Sequence, residues 1–197
     1  GYNRVMLERA QEEVEENWEL LKSKSAELSE GKRQLEAGQE QLNSKKGEIQ
    51  HIKNALQECK DNHVLAMADQ TVTWEEVGLI EQDVSNLTQE FTTLLISLGI
   101  NIPSDGTNST PPITPPTPTT PEEAYGILTL TISSLDTNIT NVIMPVEAEL
   151  ANKQAEIDAN RVLLEDGERQ LDSAEEQLEE AEREIADGFE QIEDGIK

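Results

Sequence analysis

Apolar residues return every seven positions along most of this chain, and few folds can use such a spacing. Leu7, Val14, Leu21, Leu28, Leu35, Leu42, Ile49 and Leu56 hold one register; after misses at His63 and Gln70 it resumes at Val77, Val84, Phe91 and Leu98. A second series, Leu150, Ile157, Leu164, Leu171, Leu178, Ile185 and Ile192, follows Leu128, Ile132, Leu135, Ile139, Val142 and Val146, which are spaced alternately by four and three. A period of seven held this long means helices that keep one stripe on a partner helix and supercoil around it. Segment 127–132, ILTLTI, also alternates with period two, which leaves a short strand there as the minority reading.

Between the two series lies GINIPSDGTNSTPPITPPTPTTP, residues 99–121, which holds seven of the eight prolines. No helix or sheet interior crosses such a segment, so it is expected to be a disordered or extended loop with polyproline character. Charge tests whether the two arms pair. From Lys22 to Lys53 there are seven Lys or Arg against five acids, and from Glu165 to Asp194 fourteen acids against two Arg. Opposite signs favour pairing these stretches, which puts the fold-back near residue 108. Pro145 then falls opposite about residue 71, beside the misses at His63 and Gln70, and a joint is expected at that height.

The expected fold is therefore all-α: a long antiparallel two-helix coiled-coil hairpin with a small helical tip lobe and a Pro/Thr-rich loop. Residues 1–71 and 147–197 form the stalk and 72–146 the apolar tip. Around Val72 to Ile102 and Tyr125 to Val146 the apolar residues exceed a single stripe. Two helices cannot bury Leu79, Leu87, Phe91, Leu94, Leu95, Leu128, Ile132 and Leu135 against each other. Either the tip folds into a helical lobe, the favoured reading, or these residues present an apolar surface to a protein partner.

Composition narrows function by exclusion. With 3% aromatic and 28% charged residues a thick multilayered core is out of reach, and a formal net charge of −26 disfavours nucleic acid and anionic bilayers. Cys59 is the single cysteine and reads as an incidental thiol. His51 and His63 have no compact ligand set around them, and the acids lie along helices instead of converging from a turned loop, as calcium requires. A two-helix rod offers no cleft for paired catalytic carboxylates. The expectation is a chain that is no enzyme, with no cofactor, no metal and no catalytic residue. Trp18 and Trp74 read as seam or cap residues, and the acceptor patterns at Asn86, Asn108 and Asn138 as chance. No apolar run approaches the length that spans a bilayer. The helical pattern is already under way at the first residues and still running at the last, as in a piece of a longer protein.

Three residues after many stripe positions the side chain is tiny: Gly31 and Gly38 in the first arm, Gly167, Ala174, Ala181, Gly188 and Gly195 in the second. Five glycines inside helices cost about 5 kcal/mol relative to alanine. Close helix approach would offset this, with Leu28, Leu35, Leu42, Leu164, Leu171, Leu178, Ile185 and Ile192 seated over small residues of the facing arm. The rival reading is that glycine only loosens the rod so that it bends.

The runs EGKRQLEAGQEQL (Glu30 to Leu42) and LEDGERQLDSAEEQLEEAEREIADGFEQIEDG (Leu164 to Gly195) resemble the L-x-D-G-x-x-x-L and L-x-x-A repeats in extracellular helical insertions of FtsX-like ABC transporter permeases. Similar repeats occur in YhgE/Pip-type and RND/MMPL-type membrane proteins. The likeness covers about a third of the chain. It implies a non-catalytic stalk on the extracellular side of the cell membrane, anchored through flanking segments and transmitting motion to, or binding, a protein partner at its tip. The hairpin could instead be an adhesive spacer or a cytosolic coiled-coil scaffold, and self-association is open.

Overall fold

The computed structural model describes residues 2–101 and 117–196. It contains three helices, α1 Tyr2–Leu65, α2 Trp74–Ser97 and α3 Pro121–Ile196, and no strand among the described residues. The fold is all-α, with the two long helices packed antiparallel; segment 127–132 is helical. Much of the proline-rich loop, 102–116, and the acceptor pattern at Asn108 lie outside the described residues.

Local sequence sets the helix ends. α1 stops at Leu65, where Asp69 Oδ1 accepts from the Thr71 N–H at 3.1 Å and Gln70 turns the chain with φ of 64°. Thr73 caps α2: its hydroxyl oxygen accepts from the Glu76 N–H at 3.2 Å, and its hydroxyl donates to the Glu76 carboxylate. α2 ends in a Schellman arrangement, with Gly99 at φ 69° and the Ile100 N–H donating to the Leu95 carbonyl at 2.9 Å. Thr120 caps α3 through the Glu123 N–H, and Pro121 takes the first helical position, where no N–H is needed.

Contacts divide the chain into two units, Gly1–Gln41 with Asn152–Lys197 (unit 1) and Leu42–Ala151 (unit 2). Sequence placed the change on the first arm at 71/72 and on the second at 146/147. The first arm does not run to the proline loop. It ends at Leu65, and α2 turns back along it.

Unit 2 is a three-helix lobe. α2 is antiparallel to α1, with Asn62 reaching Asp83, His51 Nε2 lying 3.4 Å from Glu90, and Lys45 donating to Ser97. α3 is also antiparallel to α1, through Lys60–Asp136 at 2.9 Å and Lys53–Glu147 at 2.8 Å. α2 and α3 are therefore parallel. The connection between them has to return from the level of Lys45 to that of His63, about 27 Å at 1.5 Å per residue of α1, and a short turn cannot do this. The lobe closes on Ile52, Val77, Leu87 and Ile139, all but inaccessible to solvent. Each buried side chain of this kind contributes about 1.5–3 kcal/mol.

Unit 1 pairs the first part of α1 with the last part of α3. Leu28 lies over Gly167, Leu164 over Gly31 and Leu7 over Gly188, pairs whose residue numbers sum to 195. An equal-armed hairpin folded near residue 108 would sit three heptads away. Two expectations change with it. Pro145 lies level with the Lys53–Glu147 pair, not with residue 71, and α3 runs on through it. Pro145 and Asn141 are both exposed, so the carbonyl that loses its helical partner faces water. The misses at His63 and Gln70 mark no joint: Gln70 is the reversal between α1 and α2, and His63 is a core residue.

The charge blocks also fall differently. In this register 174–194, with ten acids and one Arg, stands opposite 1–21, with six acids and two Arg. The basic stretch beginning at Lys22 faces the acidic block only at its edge, where Lys32 pairs with Glu168.

Candidate interaction surface

The seam of unit 1 follows the small-residue expectation in part. A Cβ at Gly167 would come within 2.8 Å of Leu28 Cδ1, at Gly188 within 2.9 Å of Leu7 Cδ2, and at Gly31 within 3.1 Å of Leu164 Cδ2. At Gly38 the nearest atom, Ile157 Cδ1, is 3.9 Å away, and at Gly195 nothing lies within 4 Å. Leucine therefore seats on glycine at three of the five positions. Leu35, Leu171, Ala174, Leu178, Ala181, Ile185 and Ile192 line the same seam half-buried, and Leu42 is buried in unit 2. Across the seam Gln39 and Gln154 exchange amide hydrogen bonds of 3.0 and 2.9 Å. Trp18 Nε1 donates to Glu182 Oε1 at 2.6 Å, a bond that sequence did not suggest.

In unit 2 the tip residues separate into two groups. Leu87, Phe91, Leu94, Leu95, Leu128 and Ile132 are buried and Leu135 is half-buried, so they build the lobe and cannot serve as a partner surface. The last part of α1 supplies the third wall that a two-helix tip would have lacked. Leu79 alone remains exposed, at 59%.

It has company that sequence missed. Val64 (70%) and Leu65 (72%) close α1, Trp74 opens α2 half-exposed, and Leu130 stands exposed early in α3. The Tyr125 hydroxyl donates to the His63 carbonyl at 2.6 Å, which brings the start of α3 level with the end of α1. Between α1 and α2, Leu65, Ala66, Ala68, Leu79 and Ile80 line a groove of about 680 Å³ together with Asp69, Glu76 and Asp83.

Compared with protein-family models, curated proteins and solved structures, the chain matches none.

Beneath this end of the lobe His63 is buried, its ring stacked on Tyr125 with centroids 4.2 Å apart and planes 6° from parallel. Its Nε2 lies 3.0 Å from the Thr129 hydroxyl. Burial pushes the His63 pKa down, partly opposed by a hydrogen bond to the Tyr125 backbone. Cys59 is also buried, its thiol pushed up by burial and then by Asp83, which suppresses the reactive thiolate. No group of His, Cys, Asp and Glu among the described residues could hold a metal ion, and no helix among them is long and apolar enough to cross a membrane.

Proposed function

We propose that this chain is a non-catalytic helical interaction module that engages a protein partner through the α1–α2 end of unit 2. The observation that carries this reading is the contrast inside unit 2. Its interior closes on Ile52, Leu87 and Ile139, while Val64, Leu65, Leu79 and Leu130 stay in water at one end, with Ile96 and Met144 exposed well away from it. Exposed leucines grouped at one end of a lobe with a complete core have no use in that core. The repeats in unit 1 add the likeness to extracellular insertions of FtsX-like permeases. On that reading the chain stands outside the membrane, flanking segments anchor it, and α1 and α3, which contribute to both units, carry displacement between anchor and partner.

The test compares two sets of surface substitutions in the full-length protein. Leu65→Ser with Leu79→Ser and Leu130→Ser is expected to abolish partner-dependent activity while helix content is kept. Glu176→Gln with Glu180→Gln is expected to leave it intact. The opposite pattern would move the working surface to the acidic arms. The permease reading is tested separately, by apolar segments of about 20 residues flanking the chain and an ATPase encoded beside it.

A further inference from the structure

We propose that His63 and Tyr125 form a proton-operated clasp between the end of α1 and the start of α3, closed while the imidazole is neutral and released when it takes up a proton. The clasp begins with a need of the helix end, because the last four carbonyls of α1 have no partner within the helix. Those of Asn62, Val64 and Leu65 accept from the N–H groups of Ala66, Met67 and Ala68, and that of His63 accepts from the Tyr125 hydroxyl at 2.6 Å. A side chain of α3 thus completes the cap of α1.

The same tyrosine covers the imidazole. The two rings lie 6° from parallel with centroids 4.2 Å apart, and the Thr129 hydroxyl, one turn further along α3, sits 3.0 Å from Nε2 while donating to the Tyr125 carbonyl at 2.9 Å. With that hydroxyl proton committed, Nε2 carries its own N–H and donates to Thr129, so one tautomer of the neutral ring satisfies the closed arrangement. His63, 8% exposed, is the only buried polar residue among those described.

A second ring proton would put a charge there with no counter-ion. On α1, Cys59 is a buried thiol held neutral, and Lys60 is paired with Asp136 of α3 at 2.9 Å. On α2, Asp83 accepts from Asn62; on α3, Glu123 accepts from Thr119 and Glu122 is exposed. His63 itself enters no ion pair among the described residues. Burial therefore holds the imidazole below the ordinary histidine range, opposed in part by a hydrogen bond to the Tyr125 backbone. The Tyr125 face attracts a cation as well, but an unpaired buried charge costs more than one ring face returns. A state that leaves His63 in water keeps the ordinary value of about 6.5 and binds the proton more tightly, so falling pH favours it.

The part that opens is the start of α3. Ala124 and Leu128 are the buried side chains of residues 121–131, whereas Ile132, Ile139 and Ile143 hold the next stretch, so the first turns can part from α1 while the rest of the lobe stays closed. On the reading of this end as the partner face, opening parts Leu130 from Val64 and Leu65 and weakens the grip in acid; the clasp itself does not depend on that reading.

The experiment is NMR on the intact chain at about pH 7.5 and about pH 5, following the His63 ring and the protection of backbone amides relative to the unstructured exchange rate at each pH. The ring is expected to titrate below about 6.5, and protection of amides 125–131 to fall by about threefold or more in acid, beyond any change at Leu87 and Ile143. His63→Phe, which keeps a ring on Tyr125, should remove the pH dependence. Tyr125→Phe, which loses the carbonyl cap, should lower protection at both pH values. A ring that titrates at or above the ordinary value, a fall that persists in His63→Phe, or a fall shared equally by Leu87 and Ile143 would overturn the proposal. Protection that falls as expected while partner-dependent activity stays constant would support the clasp and remove this end as the partner face.

Discussion

Replacing glycine by alanine within the unit 1 seam separates close packing from mere looseness, because the two explanations predict opposite signs. In an open helix the change returns about 1 kcal/mol of helix propensity. Gly38→Ala should show this gain, since the added carbon meets Ile157 Cδ1 at 3.9 Å, an ordinary contact. At Gly167 the new carbon would lie 2.8 Å from Leu28 Cδ1, well inside the usual 3.5–4.0 Å between carbons. The obstacle is the end of a leucine, so Leu28 can swing aside, but it then leaves the seam, and overpacking of this kind costs about 1–3 kcal/mol. Net of propensity, Gly167→Ala should be neutral to about 2 kcal/mol destabilising, and Gly31→Ala, at 3.1 Å from Leu164, should lie between it and Gly38→Ala. The assay is urea unfolding followed by Trp18 fluorescence in a Trp74→Phe background; Trp18 sits in unit 1 and is bonded to Glu182. If Gly167→Ala and Gly38→Ala stabilised unit 1 equally, leucine-over-glycine packing would not be what the glycines are for.

Three further outcomes can be checked. His63 has its pKa lowered in the folded state, so its contribution is full above the unfolded value of about 6.5 and is lost as pH falls below it; His63→Phe should keep the stack on Tyr125 and flatten the pH 7-to-5 loss of unit 2 stability measured by urea titration. Leu87→Ala, at a core position, should cost about 2–5 kcal/mol, whereas Leu79→Ala, on the exposed face, should stay within about 0.5 kcal/mol of the parent in the same titration. Gln39→Leu with Gln154→Leu removes the amide pair across the seam; inter-arm spin-label distances in unit 1 should broaden from one population to several, as alternative heptad registers become accessible.

The seven-residue stripe marked the chain as helical, the proline-rich break divided it into arms that fold back on each other, and the small residues three places after the stripe marked five glycines, of which Gly31, Gly167 and Gly188 receive leucines. The caps at Thr73 and Thr120 are local chemistry of the same kind, but they were not among the expectations drawn from the sequence. The register was not legible, because a period of seven is satisfied equally by every slip of seven, and the observed pairing lies three heptads from the one that charge favoured. Only side chains meeting across the seam, Leu28 on Gly167 and Gln39 on Gln154, distinguish one slip from another. The reversal after Leu65 was hidden for a related reason. Val77, Val84, Phe91 and Leu98 continue the phase of α1 across the turn, so a helix that folds back reads in sequence like one that goes on. That reversal decided which apolar residues are buried and which stay exposed: it gave Leu87 and Phe91 a third wall to bury against, and it left Leu65 and Leu79 in water.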